Sequence, residues 1–257
     1  MAPLPPPCCI ATGDNGMSLL RLDQVSHTVG TFQLRDISLS LEAGDLVFIT
    51  GSSGSGKSVL LKLCATLFFA PDRGSLRVEN QDISQVDYLT LQGLRKHIGV
   101  VFQRDSLISN YTVYDNVALP FEYHTSASVT EVMEQVMAHL EQWGLAKYAH
   151  CRPAELSTGH RRQVAVARAT IMNPRLILYD EPTEGLPRLF RLQVINHIEN
   201  VLVDHQTGAL VTTMDRGLMD RLQSYITRVF YLENGRILFS GSYPEYIEFC
   251  ETSGIIR

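Results

Sequence analysis

Residues 45–67 read DLVFIT-GSSGSGKS-VLLKLCATL, an apolar run, a glycine-rich loop and a second apolar run. The run Asp45–Thr50 is typical of a β-strand that is buried on both faces, and the run Val59–Leu67 predicts a helix. The loop between them matches the pattern GxxxxGK[ST] at every position, and it has the strand before it and the helix after it that this pattern requires. The stretch therefore predicts a phosphate-binding loop in an α/β protein.

The composition of this loop explains how it would hold a phosphate group. Its glycines let backbone N–H groups curl around an anion, and the N-terminus of the following helix adds a partial positive charge. Lys57 is placed to reach the β- and γ-phosphates of a nucleotide, and the Ser58 hydroxyl is placed to bind Mg²⁺. The predicted nucleotide-binding residues of the loop are Gly51, Ser52, Ser53, Gly54, Ser55, Gly56, Lys57 and Ser58.

A second candidate element is the run Leu176–Glu181, which reads LILYDE. Four apolar residues that end in an acid place Asp180 at the tip of a buried strand, where a carboxylate can hold Mg²⁺ through its water shell. Glu181 follows directly and is positioned to orient or deprotonate an attacking water. An apolar run that ends in Asp-Glu is a weak signal by itself, and its weight here comes from the phosphate loop upstream.

Composition and charge exclude several classes of protein. The chain has 257 residues, a formal net charge of -5 and a pI near 5.9, which argues against a dedicated nucleic-acid-binding protein. No segment approaches the ~20 consecutive apolar residues of a membrane span. The proline-rich start predicts a disordered leader over residues 1–17, not a secretory signal. Its Cys8 and Cys9 are interpreted as incidental thiols, with acylation or metal binding as the alternatives.

The rest of the chain alternates between strand-like and helical patterns, which favours a parallel α/β sheet. One helix is unusually clear, because its apolar residues form a single stripe from Val129 to Trp143. Ser128 and Glu131 form a predicted capping box before it, and Gly144 ends it. Further strands are predicted at residues 20–25, 34–41, 99–102, 176–179 and 209–213, with a mostly helical insertion over about 111–154.

The stretch Leu156–Ala169 reads LSTGHRRQVAVARA and resembles the LSGGQ signature and following helix of ATP-binding cassette (ABC) ATPases. Gln103, after the predicted strand Gly99–Phe102, sits where that family has its Q-loop glutamine. The motifs occur in the family's order and span nearly all of residues 19–239. The resemblance implies a single α/β domain over residues 18–257. This domain would have a P-loop NTPase core of ABC type, an antiparallel β subdomain and a helical insertion subdomain at about 104–160.

The resemblance also implies a mechanism. ATP with Mg²⁺ would lie between two such domains, bound by the phosphate loop of one chain and by Ser157 and Gly159 of the other. The second domain would come from another copy or from a different ABC ATPase subunit. Family roles carried onto this sequence make Glu181 and Gln103 catalytic, and make Ser58, Gln103 and Asp180 the metal-binding residues.

Within the family, the stretch Asp105–Thr125 looks most like Mla-type ATPases, which energise phospholipid movement between membranes. This implies a membrane permease partner of the MlaE kind, an MCE-type lipid-binding subunit, no nucleic acid, and a peripheral location on the cytoplasmic side of a bacterial inner membrane. Val117 and Leu119 are predicted to face the permease. Two alternatives remain, a catalytically degenerate ABC protein that binds ATP to regulate its complex, and a soluble ABC ATPase of translation or DNA repair.

Four positions depart from the family pattern. Thr158 replaces a glycine of the signature, which is costly if the position needs a positive φ. The aspartate expected near Pro187 is replaced or deleted, and Met214 stands where the switch histidine is expected. Val29 occupies the place of the aromatic residue that stacks on adenine, with His27 or Phe32 as substitutes. The residues expected to bind nucleotide and Mg²⁺ are retained, so binding is predicted to persist. The four departures predict that hydrolysis is slow or depends on a partner.

Overall fold

The structure is a computed structural model that describes residues 18–68, 70–203 and 206–255. Its strands are β1 (Ser18–Val29), β2 (Phe32–Glu42), β3 (Leu46–Thr50), β4 (Arg73–Val78), β5 (Gln81–Asp82), β6 (Ile98–Val101), β7 (Leu176–Asp180), β8 (Gly208–Thr212), β9 (Ile226–Glu233) and β10 (Arg236–Gly241). Its longer helices are α1 (Lys57–Cys64), α2 (Tyr88–Arg95), α3 (Val113–His124), α4 (Val129–Gln142), α5 (Thr158–Thr170), α6 (Arg188–Leu202), α7 (Arg216–Leu222) and α8 (Tyr243–Thr252). The predicted leader, with Cys8 and Cys9, lies outside the described residues, and the division into a leader and one domain stays a prediction.

The central sheet has the strand order β10-β9-β3-β8-β7-β6, in which only β10 pairs antiparallel to its neighbour. Every residue of β3, β7 and β8 is buried, as their nearly continuous apolar sequences predict. Because β3 and β7 are both parallel to β8, their carboxyl ends meet at one edge of the sheet. That edge receives the phosphate loop after β3 and Asp180 at the end of β7.

A second sheet with the order β2-β1-β4-β5 is antiparallel throughout. Its leucines share one core with β3 and α1, and this places the β1–β2 hairpin close to the phosphate loop. Leu22 pairs with Leu39 across the hairpin, and both are completely buried or nearly so. The structure thus contains the predicted antiparallel β layer beside the parallel core.

The segment between β6 and β7 is mainly helical. Residues of α3, α4 and α5 pack around one apolar core that includes Val117, Val136 and Val164. Ser128 and Glu131 form the predicted capping box. The predicted stripe on α4 is only partly buried, because Met133 is 52% exposed. Val117 is completely buried, so the prediction that it faces a permease is wrong.

The helix after the phosphate loop is displaced from its predicted range. It begins at Lys57 instead of Val59, because Gly56 in the left-handed conformation starts it, and it ends at Cys64 instead of Leu67. Thr66 has a positive φ of 54° and is held there by Arg95, which donates to its hydroxyl at 3.1 Å and to its carbonyl oxygen at 2.6 Å. Within the described ranges, no helix is both long enough and apolar enough to cross a membrane.

Candidate nucleotide-binding site

The phosphate loop has a backbone that only glycine accommodates at its first position. Gly51 has a φ of +147°, and a Cβ atom there would lie 1.9 Å from the carbonyl oxygen of Leu232. Gly54 and Gly56 also have positive φ, at 79° and 105°. The loop is therefore held against β9 by a close backbone approach, and its glycines serve geometry as well as phosphate binding.

The side chain of Lys57 folds back over the phosphate loop. Its Nζ donates hydrogen bonds to the carbonyl oxygens of Gly51 at 2.8 Å and Ser52 at 2.9 Å. Burial lowers the pKa of Lys57, and the negative charges of Glu181, Asp180 and Glu233 oppose that shift. The cation is thus held at the loop by groups that an incoming phosphate can replace.

Asp180 is the acceptor at the centre of the site. The Ser58 hydroxyl donates to its Oδ1 at 3.0 Å, and the Thr212 hydroxyl donates to the same atom at 2.7 Å. Asp180 is 3% exposed, so its carboxylate is fixed by these bonds at the end of β7. A hydroxyl beside a carboxylate is a suitable oxygen donor set for Mg²⁺.

Glu181 follows with a positive φ of 44°, an uncommon conformation for a residue with a side chain. Its Oε2 accepts a hydrogen bond from the backbone N–H of Met214 at 3.2 Å. Burial raises the pKa of Glu181, while the Met214 N–H and the charge of Lys57 oppose the shift. A carboxylate with a raised pKa is better suited to accept a proton near neutral pH.

Gln103 is exposed, and its amide nitrogen donates to the Glu184 carboxylate at 2.7 Å. Its backbone is held from α5, because Arg162 donates to the carbonyl oxygens of Phe102 at 2.8 Å and Gln103 at 2.6 Å. Arg162 also lies 3.1 Å from Asp105. Arg162 was not predicted from the sequence, although an arginine among apolar residues of a predicted helix is a signal for a buried contact.

Glu233 is a second residue of the site that was not predicted from the sequence. The Ser52 hydroxyl donates to its carboxylate oxygens at 2.8 Å, and Glu233 lies at the end of β9. The contact spans 181 positions in the chain. No local pattern in the sequence could have found it.

The signature stretch forms the start of α5. Ser157 caps the helix by accepting the His160 N–H at 3.3 Å. A Cβ atom on Gly159 would lie 2.2 Å from the Phe190 ring, so this glycine is required by packing. Thr158 is helical and its φ is not positive, so the cost predicted for it does not arise. Within the described parts of the chain, no hydrogen bond joins Ser157 or Gly159 to the phosphate loop.

The other three departures have clear positions. Met214 is 58% exposed, and Pro187 precedes α6 without a side-chain cap. Of the three residues considered for stacking on adenine, Phe32 adjoins the phosphate loop, because a Cβ on Gly56 would lie 2.4 Å from its ring. His27 is buried beside Asp72, and Val29 is partly exposed at the end of β1.

A phosphate loop, an adjoining aspartate and a following glutamate on a parallel sheet define a P-loop nucleotide-binding protein. The sequence profile described as "ABC transporter" matches residues 34–184. The chain belongs to this family. Its fold, its class as an ATPase and its cofactors ATP and Mg²⁺ agree with the predictions made from the sequence.

Several relatives are similar over most of the chain. The methionine import ATP-binding protein MetN of Clostridioides difficile is 32% identical over 88% of this chain and 70% of the relative. MetN of Cupriavidus metallidurans is 35% identical over 81% of this chain but only 59% of the relative. The lipoprotein-releasing system ATP-binding protein LolD of Pseudoalteromonas translucida is 33% identical over 81% of this chain and 88% of the relative. The chain thus spans little more than half of some relatives.

A similar solved structure is that of the ATP-binding cassette MJ0796, described as a dimeric post-hydrolysis state bound to ADP and Pi. It has a TM-score of 0.77 and 29% sequence identity, over 87% of this chain and 98% of that one. None of these proteins is of the Mla type. The comparisons therefore support the family and the ABC transporter class, and the cargo remains a matter for proposal.

Proposed function

We propose that this protein is the ATP-hydrolysing subunit of a bacterial ABC transporter and that it powers a separate membrane permease. The observation that carries the proposal is the 3.0 Å hydrogen bond between the Ser58 hydroxyl and the Asp180 carboxylate, beside the buried Lys57. Together these groups supply a cation for phosphate and oxygen donors for Mg²⁺ at one edge of the sheet.

Each residue of the site has a role in this proposal. The N–H groups of the phosphate loop and Lys57 bind the phosphates, while Ser58, Asp180 and Gln103 hold Mg²⁺ directly or through water. Glu181 orients the attacking water and accepts its proton. The bond between Gln103 and Glu184 connects the segment after β6 to the segment after β7. A movement of Gln103 would therefore displace Glu184, which lies three residues after Glu181.

The second half of the site would come from another cassette, either a second copy or a different ABC ATPase subunit. Ser157 and Gly159 at the N-terminus of α5 would bind the γ-phosphate held by the opposite phosphate loop. A helix N-terminus favours an anion, and Ser157 is exposed at this end of α5. The dimeric state described for MJ0796 agrees with such an arrangement.

For the cargo, we propose lipid, moved through a permease of the MlaE kind with an MCE-type subunit at the inner membrane. The support is the resemblance of residues 105–125 to Mla-type ATPases. The protein would sit on the cytoplasmic face. Exposed apolar side chains of the helical region offer a docking surface in place of the buried Val117, and Tyr123 on α3 is 64% exposed.

The test is reconstitution of the protein with its MlaE-like permease in phospholipid vesicles, followed by phosphate release and lipid transfer. Wild type should show both activities, and Glu181→Gln should lose both while retaining ATP. Tyr123→Glu should impair assembly without affecting ATP binding. Leu238→Glu, on β10, is the matched control for adding a charge at an exposed apolar position. Normal assembly of Tyr123→Glu would contradict the docking surface.

A second candidate function is favoured by the exposed Met214. Its thioether cannot donate the charge-assisted hydrogen bond that a histidine would offer to a γ-phosphate. A protein with this substitution could bind ATP and regulate its complex without turnover. Equal background phosphate release from wild type and Glu181→Gln in the assembled complex, with ATP binding intact, would establish this alternative.

A further inference from the structure

Asp215 joins three segments of the chain, one of which begins directly after Glu181. Its carboxylate accepts hydrogen bonds from the Thr183 hydroxyl at 3.0 Å, from Arg191 Nη2 at 2.6 Å and from the Leu218 N–H at 3.3 Å. Thr183 lies two residues after Glu181, Arg191 lies on α6, and Leu218 lies in the first turn of α7. One carboxylate therefore fixes the relative positions of all three segments.

The backbone on the other side of Asp215 is also fixed. The Thr213 N–H donates to the Ile49 carbonyl oxygen at 3.0 Å, and the Asp215 N–H donates to the Thr213 hydroxyl at 2.9 Å. Met214 lies between these two anchored residues, and its N–H points at the Glu181 carboxylate at 3.2 Å. The side chain of Met214 supplies no donor to Glu181, because a thioether has no hydrogen to donate.

Arg191 is the charged partner that holds Asp215 in place. Gly217 gives its guanidinium room, because a Cβ atom at Gly217 would lie 3.0 Å from Arg191 Nη2. The pair is half-exposed, with side-chain exposures of 37% for Arg191 and 25% for Asp215. A bond between a guanidinium and a carboxylate is stronger and more directional than a bond between neutral groups. Arg191 thus links the position of α6 to that of residues 213–215.

We propose that Arg191 is a positioning residue, which acts through Asp215 to hold the main-chain N–H of Met214 against the carboxylate of Glu181. The main chain thereby supplies a donor at a position whose own side chain cannot donate. Because α6 follows the altered stretch that ends in Pro187, a shift of α6 would be transmitted to Glu181 through Arg191. The inference rests on the proposed function, in which Glu181 is the base.

The first experiment separates positioning from nucleotide binding. In the reconstituted complex, Arg191→Gln should lower kcat by about tenfold or more, and the KM for ATP should change by no more than about twofold. Arg191→Lys should restore most of kcat, because it returns a cation to Asp215. Arg188→Gln, an exposed arginine of the same helix, is the matched control and should retain wild-type kcat. Equal losses in Arg191→Lys and Arg191→Gln would overturn the proposal.

The second experiment tests the main-chain donor itself. Met214→Pro removes the N–H and should lower kcat at least tenfold further than Met214→Ala, which keeps it. A comparable loss in both variants would assign the effect to the side chain and would overturn the proposal.

A third measurement does not depend on turnover. Amide hydrogen exchange of the full chain should show faster exchange at Met214 in Arg191→Gln and in Glu181→Ala than in wild type, with Arg188→Gln unchanged. Unchanged exchange at Met214 in Arg191→Gln would overturn the positioning role. Absence of phosphate release from wild type would contradict the proposed function alone, because the exchange measurement still decides how Met214 is held.

Discussion

The two halves of the candidate site differ in where they are built. The phosphate loop and the end of β7 belong to the core, since Lys57 is 7% exposed and Asp180 is 3% exposed. The signature and switch segments lie at the surface, where Ser157 and the side chain of Met214 are exposed. The first half keeps the residues expected of the family, and most of the altered positions fall in or beside the second. The residues expected to bind nucleotide and Mg²⁺ are intact, while two of the changed positions, Thr158 and Met214, lie in the signature and switch segments.

Departures from a family pattern therefore differ in their physical consequences. Met214 cannot donate the side-chain hydrogen bond that a histidine would offer to a γ-phosphate. Thr158 changes little, because the position is helical and accepts a β-branched residue. The consequence of each change depends on backbone conformation and contacts, which a motif does not reveal.

The largest expected effect is in the core half. Lys57→Ala removes the cation that faces the phosphates, and a hydrogen bond to a charged group contributes about 1.5–3 kcal/mol. ATP affinity should therefore fall roughly 10- to 100-fold. Calorimetric titration with ATP and Mg²⁺ measures the change, and Lys62→Ala at the exposed end of α1 is the control. If both variants bind as wild type does, the assignment of the phosphate loop fails.

The next effect concerns the surface half. Met214→His restores a side-chain donor beside Glu181, and one transition-state donor is worth about 10²–10³ in rate in other enzymes. Phosphate release by the assembled complex should rise by roughly tenfold or more over wild type. Glu181→Gln in the same assay should release none and should trap ATP. If Met214→His remains at the wild-type rate, the missing histidine is not what limits turnover.

Much of the core half was predictable, because it is encoded locally. The runs that became β3 and β7, the phosphate loop and the capping box of α4 were all read from neighbouring residues. The roles of Arg162 and Glu233 were not, since each bonds a residue at least 59 positions away. The end of α1 was misplaced because the chain leaves the helix at Ala65 and Thr66 takes a positive φ, which an apolar run does not reveal. Val117 was misassigned because a family resemblance indicates which segment faces a partner but not which of its side chains are buried.

A smaller effect is expected where the two halves meet. Burial raises the pKa of Glu181, so the folded protein binds the proton of this carboxyl group more tightly than the unfolded chain does. The resulting stability is present at acidic pH and is lost as pH rises from the ordinary carboxyl range through the raised pKa. Glu181→Gln should therefore raise Tm relative to wild type at pH 8 and have less effect near pH 4. Thermal unfolding in both buffers measures this, with Glu134→Gln as the surface control. An equal change at both pH values would argue against a raised pKa.

The smallest effect is expected at Thr158, the first residue of α5. Its hydroxyl accepts a bond from Arg161 at 3.1 Å, and its backbone is already helical. Thr158→Gly should cost less than about 1 kcal/mol of unfolding free energy, because glycine is a poorer helix former, and ATP affinity should not change. Gly159→Ala is the matched contrast, since its new methyl group would meet the Phe190 ring, and overpacking of that kind costs about 1–3 kcal/mol. Urea denaturation separates the two variants. A larger loss of unfolding free energy in Thr158→Gly than in Gly159→Ala would mean that Thr158 stabilises the start of α5. The substitution of the family's glycine by threonine would then strengthen the surface half of the site, not weaken it.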